Sequence, residues 1–236
     1  MKILNANMWL LPFRISKHNN KRIKRIIEII RKEEPDIVTL QEVWEAKHIW
    51  FMEQVLGYHC SSFAKRFNPT GLVTFSRSKP SSAQVFYYTR PEKSNLVEGL
   101  VKKGALCTEI EVEGKSIYIY NTHLYCAFSR KEFWVTIKQF NELKAFSKQP
   151  CIVCGDLNLT LDMFEEENNG FYNRAEDIDV TFSEKNPYKK WWDPNKPKDR
   201  KLDYILSHGM DVSFKSRKID ETISDHDGIV SEVMIG

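Results

Sequence analysis

Cys151-Ile152-Val153-Cys154-Gly155-Asp156-Leu157-Asn158 is the stretch that decides the fold: four apolar residues in succession, then a glycine, an acid and an amide. A short apolar run closed by a turn residue reads as a buried strand, and the polar word after it places Asp156 and Asn158 at that strand's exposed end. An acid and an amide held there suit metal-assisted phosphoester chemistry. Four more polar words stand at comparable strand ends: Asn5-Ala6-Asn7, Gln41-Glu42, Thr122-His123, and the closing pair Leu202-Asp203-Tyr204 and Ser224-Asp225-His226. Each alone has a bland reading as a surface strand end or a turn cap. Their joint occurrence, in this order, does not.

Working outward, helix and strand patterns alternate without repeats or low-complexity linkers. The pattern predicts strand 2–9, helix 19–33 stopped by Pro35, strand 36–43, and helix 46–56 ending at Gly57, which can take the left-handed conformation of a helix C-terminus. Strands follow at 71–77, 83–89, 105–112 and 116–122, the last two joined at Gly114. Helix 131–147 precedes strand 151–155, and short strands near 202–207, 212–218 and 228–235 close the chain. Hairpins rule against a purely parallel sheet. Two mixed sheets packed face to face with helices outside fit better, in one domain spanning 1–236.

Composition sets the outer limits. A chain of 236 residues with 42% hydrophobic and 28% charged residues has material for a sizeable core, and no apolar run approaches the roughly 20 residues of a membrane span. Ile3-Leu4 reads as strand directly after Met1-Lys2, so no signal peptide is expected. Five cysteines without framework spacing make a reducing cytoplasm the expectation, with Cys151 and Cys154 packing as small apolar groups.

Net charge is only +3, but basic residues cluster. Arg14, Lys17, Lys21, Arg22, Lys24, Arg25, Arg31 and Lys32 surround a helix whose Ile23, Ile26, Ile27 and Ile30 repeat at helical spacing, and they read as a solvated outer face. A second stretch, Lys185 to Lys201, carries Lys189, Lys190, Lys196, Lys198 and Arg200 around Trp191-Trp192, and is expected to face an anionic substrate.

Strand alternation turns Asn5 and Asn7 to one face of strand 2–9 and Leu4, Ala6 and Met8 to the other. Glu42 closes a strand whose Ile37, Val38 and Leu40 are buried, so its carboxylate must be paired, protonated or bound to a cation. Asp156, Asn158 and Asp225 add oxygen donors. Hard oxygen ligands without a thiol select Mg²⁺, with Mn²⁺ as substitute, over Zn²⁺.

With these residues the chain resembles the endonuclease/exonuclease/phosphatase superfamily, the DNase I-like fold, over essentially its whole length. The resemblance implies a four-layer α/β sandwich, two packed mixed β-sheets flanked by helices, with the site at one edge of the sheets. It implies Glu42, Asn7 and Asp225 as the metal group. It implies Asp156 and Asn158 positioning and activating the attacking water, His226 oriented by Asp203, and His123 steadying the phosphate. Whether Asp156 or His226 takes the water's proton stays open, as does the number of metal ions.

Asn7-Met8-Trp9-Leu10-Leu11-Pro12, Leu40-Gln41-Glu42-Val43-Trp44 and Gly71-Leu72-Val73-Thr74-Phe75-Ser76-Arg77 are similar to neutral sphingomyelinases, which implies a phospholipid phosphodiesterase. The alternative is a DNA or RNA nuclease, since Leu202-Asp203-Tyr204 with Ser224-Asp225-His226 also resembles DNA-repair endonucleases. A non-enzymatic binding module would be expected to lose some of Glu42, Asp156, Asn158, Asp203 and His226, and none is lost. The expected partner is therefore a phosphodiester substrate, a phospholipid head group or a nucleic acid, acted on by a monomer. Phe128, Phe133 and Trp134 near Arg130 and Lys131 offer a weak peripheral membrane contact, with ordinary helix packing the preferred reading.

Overall fold

The architecture follows from which residues alternate toward which layer. In a computed structural model of the protein, residues 1–12, 15–91, 101–188 and 199–235 are described. The strands are β1 (Lys2–Leu10), β2 (Ile37–Val43), β3 (His59–Ser61), β4 (Val73–Ser76), β5 (Ser82–Tyr87), β6 (Gly104–Val112), β7 (Lys115–His123), β8 (Cys151–Asp156), β9 (Tyr172–Asn173), β10 (Asp203–His208), β11 (Val212–Lys218) and β12 (Ile229–Ile235). The α-helices among the described residues are α1 (Asn19–Glu33), α2 (Ala46–Leu56), α3 (Phe133–Phe146) and α4 (Leu161–Glu167).

The strands form two six-stranded sheets, ordered β11-β12-β1-β2-β4-β3 and β5-β6-β7-β8-β10-β9. Each holds one parallel pair at its centre, β1 with β2 and β7 with β8, and antiparallel neighbours elsewhere. Period-two alternation then divides the side chains. Leu4, Ala6, Met8, Val38 and Leu40 pack with Ile23, Ile26 and Ile30 of α1 and Ile49 and Met52 of α2. Cys151, Val153, Tyr204 and Leu206 pack with Phe140 and Leu143 of α3 and Phe164 of α4. The intervening residues Ile3, Ile37, Ile119, Ile152, Cys154 and Ile205 fill the space between the sheets. The result is helix, sheet, sheet, helix, four layers with three apolar seams.

Cys151 and Cys154 are fully buried free thiols facing opposite seams, and burial pushes both thiols up to about 12, as expected of inert packing groups. Gly57 closes α2 at φ 70°, and Gly114 with Glu113 makes the β6–β7 turn in left-handed conformations. Gly155 is required by proximity, since a Cβ there would stand 1.9 Å from the Thr122 carbonyl oxygen of β7.

The polar face predicted for β1 is a bridge between the sheets. Gln41 Nε2 donates to Asn5 Oδ1 and to Asn121 Oδ1, both at 2.8 Å, and Asn121 Nδ2 reaches back to the carbonyl oxygens of Leu40 (3.1 Å) and Val73 (2.8 Å). These side chains are fully buried, and their bonds fix one sheet's register against the other directly beneath the site.

Candidate active site

Five strand ends deliver the site. His123, Asp156 and Asp203 sit side by side across β7, β8 and β10, each in register with its neighbour. Their odd or even positions match Ile119, Cys154 and Ile205, so all three project between the sheets. Asn7 does the same from β1. Glu42 does not follow this rule, because it shares its alternation with Val38 and Leu40, which face α1 and α2. A left-handed backbone at Glu42 (φ 55°) and at Trp9 (φ 45°), with a register shift between Asn7 and Leu10, twists both strand ends. The twist brings Glu42 to Asn7. Non-glycine residues rarely adopt φ above zero, and the strain falls where the functional side chains are aimed.

Asn7 Nδ2 donates to Glu42 Oε1 at 3.2 Å and to Asp156 Oδ2 at 3.0 Å, so one amide joins a carboxylate from each sheet. The Asn7 oxygen accepts the Trp9 N–H at 3.0 Å. Asp156 Oδ1 accepts the backbone N–H of Asn158 at 3.0 Å, made possible by φ 50° at Asn158, whose own amide donates to the Leu124 carbonyl at 3.2 Å. Two imidazoles flank the second oxygen of Asp156, His123 Nε2 at 3.5 Å and His226 Nε2 at 3.8 Å. His226 Nδ1 lies 2.8 Å from Asp203 Oδ2. Asp225 is buried, bonded by Ser224 Oγ at 3.0 Å.

The endonuclease/exonuclease/phosphatase family model matches residues 4–226, nearly the whole chain and every residue of this arrangement. The chain belongs to that family. Family members cleave phosphoester bonds as hydrolases. Sphingomyelin phosphodiesterase 2 of Rattus norvegicus is 28% identical over 174 residues, 67% of this chain and 41% of that protein. The chain thus spans about two fifths of the length of that curated relative. Among solved structures, SmcL superposes with a TM-score of 0.82 at 18% identity, covering 98% of each chain. TDP2 of D. rerio, complexed with a single strand DNA product, gives 0.78 at 16% identity, covering 99% of this chain and 98% of that one. Both likenesses establish the DNase I-like sandwich.

The environment at this edge splits its two histidines. Burial pulls the His226 imidazole down, but the charges of Asp203 and Asp156 outweigh it and hold the ring well above the usual histidine range. Burial and the charge of Lys103 push His123 well below that range. Burial also raises the Asp156 carboxyl, which His226 opposes and Asp203 reinforces. The same edge therefore favours the cationic form of one imidazole and the neutral form of the other.

A divalent cation fits these donors. Glu42 and Asp156 bring carboxylate oxygens from opposite sheets to a single neutral amide, and no thiol is among them. The ligand-capable atoms of Asp156, Asp203 and His226 also lie within 4.8 Å of one another. In that second grouping the Asp203 contact already occupies His226 Nδ1. Asn7 donates to both carboxylates through its amide nitrogen and so stands between them. Asp225 shares the neighbourhood, since its charge acts on both Arg22 and His226.

Three residues that shape the site were not anticipated. Arg22, assigned above to a solvated face, is 2% exposed. Its guanidinium donates to the carbonyl oxygens of Met8, Trp9 (2.8 Å) and Ile223 (3.3 Å) while its Nε donates to the carbonyl oxygen of Lys17 (2.9 Å). It also lies over the rings of Trp9 and Tyr188. It thereby ties the twisted end of β1 to the segment leading into Asp225 and His226. The signal was available: Arg22 stands four residues before Ile26, on the isoleucine face of α1. Lys17, Lys21, Lys24, Arg25, Arg31 and Lys32 are exposed as expected, and Arg14 lies outside the described residues. Replacing Arg22 by methionine should leave buried carbonyls unpaired and cost roughly 3 kcal/mol or more, read by urea unfolding. A loss under about 1 kcal/mol would mean Arg22 does not clamp these segments.

Thr181 and Phe182 are the other two. Thr181 Oγ1 accepts the N–H groups of Leu202 (3.0 Å) and Asp203 (3.1 Å), and its carbonyl accepts that of Asp227 at 2.7 Å. Phe182 meets the His226 ring edge-on at 5.0 Å, and Arg200 lies over Phe182. In the second basic stretch Lys201 departs from expectation: it is buried and donates to the Ala175 carbonyl, so it does not face a substrate. Lys189, Lys190, Trp191, Trp192, Lys196 and Lys198 lie outside the described residues. In the segment from Phe128 to Trp134, Phe133 packs against Tyr125 and Val135, whereas Trp134 (57%) and Phe128 (37%) are exposed.

Proposed function

We propose that the protein is a Mg²⁺-dependent phosphodiesterase that cleaves a phospholipid head group in the manner of a sphingomyelinase. The observation carrying this reading is the bonded chain from Glu42 through Asn7 to Asp156, with Asp156 flanked by His123 and by the His226–Asp203 pair. Glu42 would hold the metal, with Asp225 close by and Asn7 bridging to Asp156. When bound, the ion supplies charge neutralisation to a phosphodiester that otherwise repels nucleophiles.

The chain's own residues supply the rest. Asp203 fixes the His226 ring by its Nδ1, which turns Nε2 toward Asp156 and the space above it. Asp156, oriented by Asn7 and by the Asn158 N–H, accepts the proton of a water attacking in line with the leaving oxygen, whose bond to phosphorus breaks and which takes its proton from solvent. His226 offers its Nε2 proton to the phosphoryl oxygen, and neutral His123 hydrogen-bonds the same group from the other side. Phe182 against His226 keeps water from one face of that ring.

The lipid assignment draws on the relationship to sphingomyelin phosphodiesterase 2, together with exposed Trp134 and Phe128, which suit a peripheral contact with an interface. A polynucleotide is the competing substrate, supported by the fold shared with a protein complexed with a single strand DNA product. Offering sphingomyelin in mixed micelles, lysophospholipid, abasic duplex DNA, single-stranded DNA and RNA to the purified protein with Mg²⁺ separates them. The expected result is lipid turnover that rises with vesicle or detergent presentation and changes little with moderate salt. Cleavage confined to polynucleotide, with affinity falling steeply as salt rises, would replace the lipid reading by the nuclease one.

A further inference from the structure

Asp203 and His226 reach their 2.8 Å contact from different sheets. Asp203 opens β10 of the second sheet, whereas His226 lies in the link between β11 and β12 of the first. No strand ladder therefore fixes the distance between the two side chains. One segment, residues 181–188, touches both. Its sequence, Thr181-Phe182-Ser183-Glu184-Lys185-Asn186-Pro187-Tyr188, carries turn-forming side chains rather than a helix or strand period. Ser183 Oγ accepts the N–H of Lys185 at 3.2 Å and Asn186 Oδ1 accepts that of Tyr188 at 2.9 Å, so two side-chain turns set its path.

On the side of Asp203 the segment is bonded along its length. The N–H groups of Thr181 and Phe182 donate to the Arg200 carbonyl, both at 2.9 Å, and the Arg200 N–H returns to the Phe182 carbonyl at 2.9 Å. Asp199 Oδ1 accepts Ser183 Oγ and the Glu184 N–H, both at 2.9 Å, and Thr181 Oγ1 accepts the N–H of Asp203 itself. On the side of His226 it closes from both directions in sequence. Asn186 Nδ2 donates at 2.9 Å to the Ser224 carbonyl, two residues before the histidine, and the Thr181 carbonyl accepts the N–H of Asp227, one residue after it. Phe182 meets the imidazole between these two points. At the far end the Tyr188 ring lies 6.4 Å from Trp9 and 5.5 Å from the Arg22 guanidinium, which anchors the segment to the end of β1.

We propose that residues 181–188 are a positioning strap for the His226–Asp203 pair, and that Asn186 is a positioning residue that holds His226 in place through the Ser224 carbonyl. Its effect on turnover rests on the phosphodiesterase reading above; its geometry does not. A displaced imidazole costs rate rather than affinity, and a shift of about 1 Å costs up to about 100-fold. Asn186→Asp keeps the oxygen that accepts the Tyr188 N–H and removes the donor to Ser224, whereas Asn186→Ala removes both. Asn186 is partly exposed, so neither variant opens a core cavity. The test pairs steady-state turnover of a chromogenic bis-aryl phosphodiester in Mg²⁺ with the low-field NMR signal of the His226 Nδ1 proton facing Asp203, assigned by its loss in His226→Ala. Both Asn186 variants should lower kcat about tenfold or more, with KM and melting temperature nearly unchanged, and should shift or broaden the low-field signal. Thr181→Ser, which retains the hydroxyl that accepts the Asp203 N–H, should keep that signal. Adding Asn186→Ala to His226→Ala should slow the protein little further, since a residue acting through the imidazole then has nothing to act on. Unchanged kcat with an unshifted signal in Asn186→Ala, or losses that multiply in the double variant, would overturn the strap. No turnover by the unaltered protein would refute the phosphodiesterase reading instead, and the low-field signal would still decide for or against the strap.

Discussion

His226→Ala should lower turnover on the order of 10³-fold, and Asp203→Asn should lower it by less, because the asparagine leaves the imidazole in place with a poorer partner. The 2.8 Å contact between His226 Nδ1 and Asp203 Oδ2 makes the two a single unit, so the double variant should be little slower than His226→Ala alone. Single-turnover rates on a chromogenic bis-aryl phosphodiester measure this without product release. Multiplying losses would show that Asp203 acts independently of His226. Thr181 adds a check on the same unit, since its hydroxyl accepts the N–H groups of Leu202 and Asp203 and so positions the aspartate.

The second large effect is expected at Glu42. Its carboxylate is half-buried, is turned into the site by a strained backbone, and is held by Asn7 alone among the described side-chain contacts. Glu42→Ala should weaken Mg²⁺ binding by about 100-fold or more, given that loss of an outer-shell partner alone costs about 10- to 100-fold. Calorimetric titration reads this directly. Unchanged affinity in the variant would remove Glu42 from the metal group and leave the Asp156, Asp203 and His226 grouping as the remaining seat.

Most of the fold was legible because its seams obey simple alternation. Val153 and Ile152 face different layers for no reason beyond period two, and α1 and α2 have the predicted bounds because Pro35 and Gly57 stop them. The elements that escaped are those without a period to read. The edge strands β3 and β9 span three and two residues, and α4 is a seven-residue helix of which only Phe164 is buried. Helix 131–147 begins instead with a 3₁₀ turn, Arg130–Glu132, where Ser129 and Glu132 cap each other.

The site was legible as a set of residues and less so as a geometry. His123, Asp156 and Asp203 fall on one face by alternation, whereas Glu42 reaches Asn7 only through a local twist that no propensity foretells. Arg22 was hidden by its charge, since an arginine among lysines reads as solvated until its place one turn before Ile26, on the isoleucine face, is weighed. Thr181 was hidden by distance, holding Asp203 from 22 positions away.

The central claim is that this edge hydrolyses phosphodiesters with a divalent metal, and the most direct measurement is turnover of a phosphodiester by matched preparations of the protein and Asp156→Ala. Asp156 is the residue on which Asn7, Asn158, His123 and His226 all converge, and its loss leaves no carboxylate at the end of β8. The account predicts turnover in Mg²⁺ that excess chelator abolishes and that falls to background in Asp156→Ala while the melting temperature is maintained. Equal turnover in the two preparations, or full turnover in chelator, would contradict it.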